Sequence, residues 1–183
     1  FHWYKTEDII NRGGGNVLIR VYNSKPDESI DYESDVTVHT DGRTYTVESL
    51  TQFATLDALA KKYGKKLPIL LRLTNNSQFG INEEEILALV QSREEHPNLC
   101  FRGIQFFSGT QKTSLKKLKR EISHLDGFLG QLEEKYGWHS PELEYGTGFP
   151  VNYYEGESFD EEALLTGFRQ VLEGMTFRAK ITL

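Results

Sequence analysis

"LPILLRLT" (residues 67–74) and "LCFRGIQFF" (99–107) are the two stretches on which the fold turns. Both are short and nearly continuous in apolar character, the first rich in leucine and the second in phenylalanine. That pattern predicts strands buried on both faces, as in a parallel sheet, rather than the strict alternation of a half-solvated antiparallel one. Outward from them, "NVLIRVY" (16–22), "SDVTVHT" (34–40), "PELEY" (141–145) and "FRAKITL" (177–183) read as further strands, those from 35–40 onward expected to be parallel.

Helical patterns separate them. In 46–63, Leu50, Phe53, Ala54, Leu56, Leu59, Ala60 and Tyr63 fall on one broad face. Asn82 followed by Glu83, Glu84 and Glu85 is an N-cap with an acidic first turn, and Ser158-Phe159-Asp160-Glu161 reads as a capping box. The most regular helix carries Leu115, Leu118, Ile122, Leu125, Leu129, Leu132 and Tyr136 at steps of three and four; at about three heptads it suits packing on a sheet better than a coiled coil. Strand and helix alternate, with strand starts about thirty to forty residues apart, which is the signature of βαβ units. A complete (β/α)8 barrel takes roughly 250 residues. The 183 residues therefore predict a single α/β domain of five or six βα units, either an open doubly wound sheet or a partial TIM-type barrel.

Composition narrows the function classes. Apolar residues at 38% and charged residues at 26% are those of an ordinary globular protein. The 27 acidic against 21 basic side chains leave a net charge of −6, which argues against nucleic acid or an acidic membrane as partner. The run "KTSLKKLKR" (112–120) reads as a solvated helix face, with Lys116, Lys117, Lys119 and Arg120 outward. Cys100 is the one cysteine, expected to be a buried inert thiol in a reducing, cytoplasmic protein. No apolar stretch reaches membrane-spanning length and nothing resembles a signal peptide. His39 and Asp41, at a strand end in "VHTDG", are within reach of the pocket but read as turn residues, and His96, His124 and His139 show no metal-ligand spacing.

In a parallel α/β sheet, ligands sit beyond the carboxyl ends of the strands. Three turns fall there: "NNSQFGI" (75–81) after a strand ending near Arg72, "SGTQ" (108–111), and "GTGFP" (146–150). They offer backbone amides, hydroxyls and one guanidinium, an inventory suited to phosphate. For Gly146 and Gly148 taken alone, a tight turn with positive φ is the simpler role; the second hydroxyl-bearing turn, with Ser108 and Thr110, favours a phosphate cradle. Gly13-Gly14-Gly15 precedes a strand and reads as a flexible turn.

"LLRLTNNSQFGI", "GIQFFSGTQ" and "LEYGTGFPV", in that order, resemble three motifs of the pyridoxal-phosphate (PLP) decarboxylases of the alanine-racemase fold, the ornithine and diaminopimelate decarboxylases among them. The family's counterparts are an arginine-ended strand leading to Lys-Phe-Gly, then Gly-x-His-x-His-x-Gly-Ser, then Asp-x-Gly-Gly-Gly-Phe-Pro. The opening "FHWYKTEDII" is similar to the segment that precedes the family's middle barrel strands. The resemblance implies a central barrel fragment in which Gly146, Thr147, Gly148, Ser108 and Thr110 hold the cofactor phosphate, Phe107 takes the place of a histidine stacked on the pyridine ring, and Arg72 lies close to that ring or forms a structural ion pair.

Departures accompany it. Gln78 replaces the lysine of Lys-Phe-Gly, Thr147 replaces a glycine, and Phe107 keeps an aromatic face without a hydrogen bond or charge. The lysine that carries the cofactor, the acid beside its ring nitrogen and the C-terminal β-domain are expected outside 1–183, so no catalytic residue is assigned in this chain. The expectation is a parent enzyme that decarboxylates a basic or dibasic amino acid as a homodimer, the fragment being inactive alone. The alternative is a non-catalytic, decarboxylase-like binding or regulatory module, which Phe107 and Gln78 favour.

Overall fold

The computed structural model describes residues 16–19, 36–39, 44–151 and 160–183. Five parallel strands form one sheet: β3 (Tyr45–Val47), β4 (Leu67–Leu73), β5 (Leu99–Phe107), β6 (Glu142–Gly146) and β7 (Lys180–Thr182). Helices α1 (Leu50–Tyr63), α2 (Glu83–Gln91), α3 (Leu115–Tyr136) and α4 (Glu161–Glu173) link successive strands. The strand order follows the chain without reversal. Right-handed crossovers on a sheet that never reverses place every helix on the same side. This decides between the two architectures left open by the sequence: the sheet has no switch point and is built of barrel staves, and it is not closed.

One side of each strand feeds a single core with the helices. Ile69, Leu71 and Leu73 of β4, Ile104 and Phe106 of β5, and Leu143 and Tyr145 of β6 pack there against Ile86, Val90, Leu118, Ile122, Leu125, Leu129 and Phe168. Alternation along the strands sends Arg72, Gln105, Phe107, Glu142 and Glu144 to the other side, which would be a barrel's interior. Those five are intermediate in burial while Leu70, on the same side of β4, is buried, so the "buried on both faces" reading of β4 and β5 holds fully on the helix side and in part on the other.

The two central strands match the predicted stretches, β6 is shifted by one residue from its own, and β7 keeps only Lys180–Thr182 of the predicted 177–183. The residues at 35–40 depart. Val36–His39 is strand β2, but it pairs antiparallel with β1 (Asn16–Ile19) and joins no strand of the five-stranded sheet. The first parallel strand is instead Tyr45–Val47, a segment assigned from its periodicity to the start of a helix. Only three residues long, it leaves too little alternation to be read, and α1 begins at Leu50 under a Ser49 cap.

Three local readings also change. On α1, Leu50 and Ala54 are exposed, because a helix lying on a sheet buries a narrow stripe, here Phe53, Leu56, Asp57 and Ala60. The cap of α4 is Asp160, which accepts from the Ala163 amide, rather than Ser158, which lies outside the described residues. Cys100 is exposed, not buried: it alternates away from Leu99 and Phe101, which pack on the core, and points to the open side of the sheet. The cap at Asn82 is as read, a reciprocal box with Glu85. Gly13–Gly15, Asp41 and the side chain of His39 fall outside the described residues.

Candidate functional site at the carboxyl ends of the strands

Register places the site residues. Arg72, Gln105, Glu144 and Thr182 are partners across β4, β5, β6 and β7 and form one row on the open side. Arg72 is paired with Glu48, just past the end of β3, and its guanidinium lies 5.5 Å from the Phe79 ring centroid. Next to it, Gln105 Oε1 is buried and accepts no hydrogen bond from the described residues. Two residues further along the strands, Phe107 and Gly146 are register partners. The Phe107 ring occupies the space a side chain on Gly146 would need: a Cβ there would sit 2.4 Å from Phe107 Cδ2.

Beyond this level the chain leaves β5 and β6 in two turns that are stitched together. The Lys112 amide donates to the Gly148 carbonyl at 2.9 Å. Gln111 Nε2 donates to the Val151 carbonyl at 2.9 Å, and Gln111 Oε1 accepts from the Val151 amide at 2.7 Å. Gly148 has φ +59°, and a Cβ on it would lie 1.8 Å from the Gly109 carbonyl oxygen. Its glycine is therefore required twice, by the left-handed backbone and by the approach of the two turns. The amides of Gly109, Thr110, Thr147 and Gly148 donate to no described residue, and the same holds for the hydroxyls of Thr110 and Thr147. The third turn, after β4, is closed on itself: Asn76 and Ser77 amides donate to Thr74 Oγ1 and Asn75 Oδ1, and Thr74 pairs with Ile81. Gln78 is exposed there.

Directly behind the stitched turns lies a buried charge cluster. Lys112 Nζ is 2.9 Å from Glu121 Oε2, with the two side chains 2% and 10% exposed. Glu121 also accepts from Ser108 Oγ and from Tyr145 Oη, both at 2.6 Å. Burial pushes the Glu121 carboxyl up, but the three donors and the Lys112 charge outweigh it and hold the group below the ordinary carboxylate range. Burial, then the Glu121 carboxylate, push the Tyr145 phenol far above its usual value, so it stays a donor. The cluster pins the turn after β5 to α3 and β6.

The sequence-predicted residues thus fall into two groups. Phe107, Thr110, Gly146, Thr147 and Gly148 come together at the ends of adjacent strands. Arg72 lies a step lower on the next strand, already ion-paired, and the Ser108 hydroxyl is turned inward to Glu121. Lys112, Glu121 and Tyr145 were not singled out from the sequence. Glu121 carried a signal: it lies three residues after Leu118 and four before Leu125, on the apolar stripe of α3, where a carboxylate needs a buried partner.

With this geometry in place, known structures align to the sheet. The lysine/ornithine decarboxylase of Vibrio vulnificus, in complex with putrescine, superposes with a TM-score of 0.63 at 22% identity, over 76% of this chain and 37% of that one. The diaminopimelate decarboxylase of M. jannaschii gives a TM-score of 0.66 at 16% identity over the same shares. The described sheet and helices therefore have the barrel fold of these decarboxylases and span little more than a third of their length.

The opening residues are similar to a different family. Residues 1–58 match the family of D-lyxose isomerases. A 42-residue stretch is 52% identical to the D-lyxose/D-mannose isomerase of Escherichia coli O157:H7, which covers 23% of this chain and 18% of that protein. The similarity of "FHWYKTEDII" to the decarboxylases is corrected accordingly. Its family match is to the isomerases, and the decarboxylase likeness rests on the later motifs and the sheet.

Proposed function

We propose that this chain carries the phosphate-holding part of a PLP-dependent decarboxylase barrel, whose parent protein acts on a basic or dibasic amino acid and pairs as a homodimer. The observation that supports this most directly is the pair of stitched turns at the ends of β5 and β6. They carry four uncommitted amides and two uncommitted hydroxyls at the place where a parallel α/β sheet binds ligands. The cofactor's phosphate half fits the residues present. Gly109, Thr110, Thr147 and Gly148 would donate to the phosphate, and the half-buried Phe107 ring offers an apolar face to the pyridine. When bound, PLP supplies an electron sink for the bond to the carboxylate. The Arg72 charge is already neutralised by Glu48, so its part is to orient rather than to donate charge. The described residues supply binding and orientation; the groups that hold and move protons belong to the parent.

The test uses pyridoxine 5′-phosphate, which has the ring and phosphate without a reactive aldehyde. Calorimetric titration of the chain should show binding that dephosphorylated pyridoxine lacks. Thr147→Val combined with Thr110→Val should weaken it about tenfold, as expected for two hydroxyl donors to a charged group. Equal binding of pyridoxine and its phosphate would remove the cradle reading.

The match of residues 1–58 to D-lyxose isomerases supports a second reading, in which the chain joins an isomerase-like opening to the decarboxylase-like sheet. The antiparallel β1–β2 pair, separate from the five-stranded sheet, favours such a division, although the match runs on through β3 and half of α1. Limited proteolysis distinguishes the two. A protected core beginning near residue 44 fits the join, and cleavage within the sheet before the opening segment contradicts it.

A further inference from the structure

The turn after β4 and the first half of α3 border a cleft of about 420 Å³ on the helix side of the sheet, with Phe106, Ser108 and Glu121 at its floor, where it adjoins the turn after β5. Its α3 wall carries Lys117, Arg120 and His124, at steps of three and four along one helical face. The facing wall is Thr74, Asn75 and Asn76. Lys117 and Arg120 form no ion pair or hydrogen bond through their side chains with any described residue. The acids nearby are committed elsewhere. Glu121 is held by Lys112, Ser108 and Tyr145, and Glu83 meets His124 Nε2 at 2.5 Å, closing one end of the cleft. Asn75 Oδ1 is taken by the Ser77 amide and Thr74 Oγ1 by the Asn76 amide, which leaves the amide NH₂ groups of Asn75 and Asn76 as donors.

We infer that this cleft is a second anion site, built for the phosphate group of a small-molecule phosphate ester. Like charges at i and i+3 on a helix repel one another, and the acid at i+4 from Lys117 does not pair with it: Glu121 reaches the floor of the cleft, but its oxygens are taken by Lys112, Ser108 and Tyr145. A phosphate between the Arg120 fork and Lys117 relieves that repulsion, while the asparagine amides take the remaining oxygens. The volume fits a small ligand rather than a bare ion. In a chain of net charge −6, two cations with no side-chain partner among the described residues, facing two asparagine amides across one cleft, are a specific arrangement rather than a general basic surface. The site does not depend on the cofactor reading.

The test is a titration of the full ¹⁵N-labelled chain with inorganic phosphate. The side-chain amides of Asn75 and Asn76 and the Arg120 Nε–H should shift together and saturate with one constant. In K117Q/R120Q, both exposed positions on α3, that constant should weaken at least tenfold, while the backbone amides of Thr147 and Gly148 respond as in the parent. Signals that fail to saturate, or an unchanged constant in the double variant, would overturn the proposal. A change confined to Thr147 and Gly148 would also overturn it, because the phosphate would then bind at the stitched turns alone.

Discussion

At the scale of single residues, the buried Lys112–Glu121–Tyr145 cluster dominates. Replacing one partner of a buried pair leaves the other charge uncompensated, which costs about 3–5 kcal/mol. Lys112→Met should therefore lower the urea midpoint far more than a substitution at exposed Lys116, and Tyr145→Phe should cost about 1–3 kcal/mol for one donor to a charged group. The cluster also sets a pH dependence. Glu121 has its folded pKa lowered, so its contribution is complete above the unfolded glutamate value of about 4.3 and is lost as pH falls through the lower folded value. Asp57 has the same sign: burial raises its pKa, but Lys61 at 2.7 Å and His96 at 2.8 Å outweigh that and lower it. Urea unfolding of Glu121→Gln should show a smaller loss of stability between about pH 4 and pH 2 than the parent. An identical loss would mean that Glu121 is not ionised in the fold. Little of this was legible beforehand. Lys112 opens a basic run whose next members are exposed, and composition alone cannot tell the one lysine that turns inward from those that do not.

At the scale of elements, the sheet is held at its tightest where β5 passes β6. A Cβ on Gly103 would lie 1.9 Å from the Glu142 carbonyl oxygen, and the register between β4 and β5 shifts nearby, with Arg102 as the extra residue. Backbone cannot yield as a flexible side chain can, so Gly103→Ala should cost about 3 kcal/mol or more. Gly127, in the middle of α3 with open space around its Cα, provides the contrast: Gly127→Ala should stabilise by about 0.5–1 kcal/mol. Thermal melts of the two variants should move in opposite directions. The elements that could be read from the sequence are those whose length averages out local ambiguity. The 22-residue α3 and the apolar β4 and β5 match their predicted stretches. The three-residue β3 did not show itself, and β2 looked like a parallel strand because pairing direction is set by a partner that strand composition does not name.

At the scale of the whole molecule, the described residues form an unclosed run of barrel staves whose charged row would face a barrel's interior. Glu48, Arg72, Gln105 and Glu144 lie on that side, and Gln105 keeps a buried oxygen without a donor among the described residues. The order of the three turn motifs made the decarboxylase fold legible in the sequence. The isomerase match of the opening residues was not: among the described residues of 1–58 only three-residue β3 enters the sheet, and the motifs that carried the resemblance all lie beyond it. On the proposed reading, the turns after β5 and β6 form one phosphate cradle. Its most direct test is amide mapping: add pyridoxine 5′-phosphate to the ¹⁵N-labelled chain and follow the backbone signals of Gly109, Thr110, Thr147 and Gly148. These four should shift downfield together with a single binding constant, and pyridoxine without the phosphate should leave them in place. Shifts scattered over surface lysines and α3, with these four amides unmoved, would contradict it.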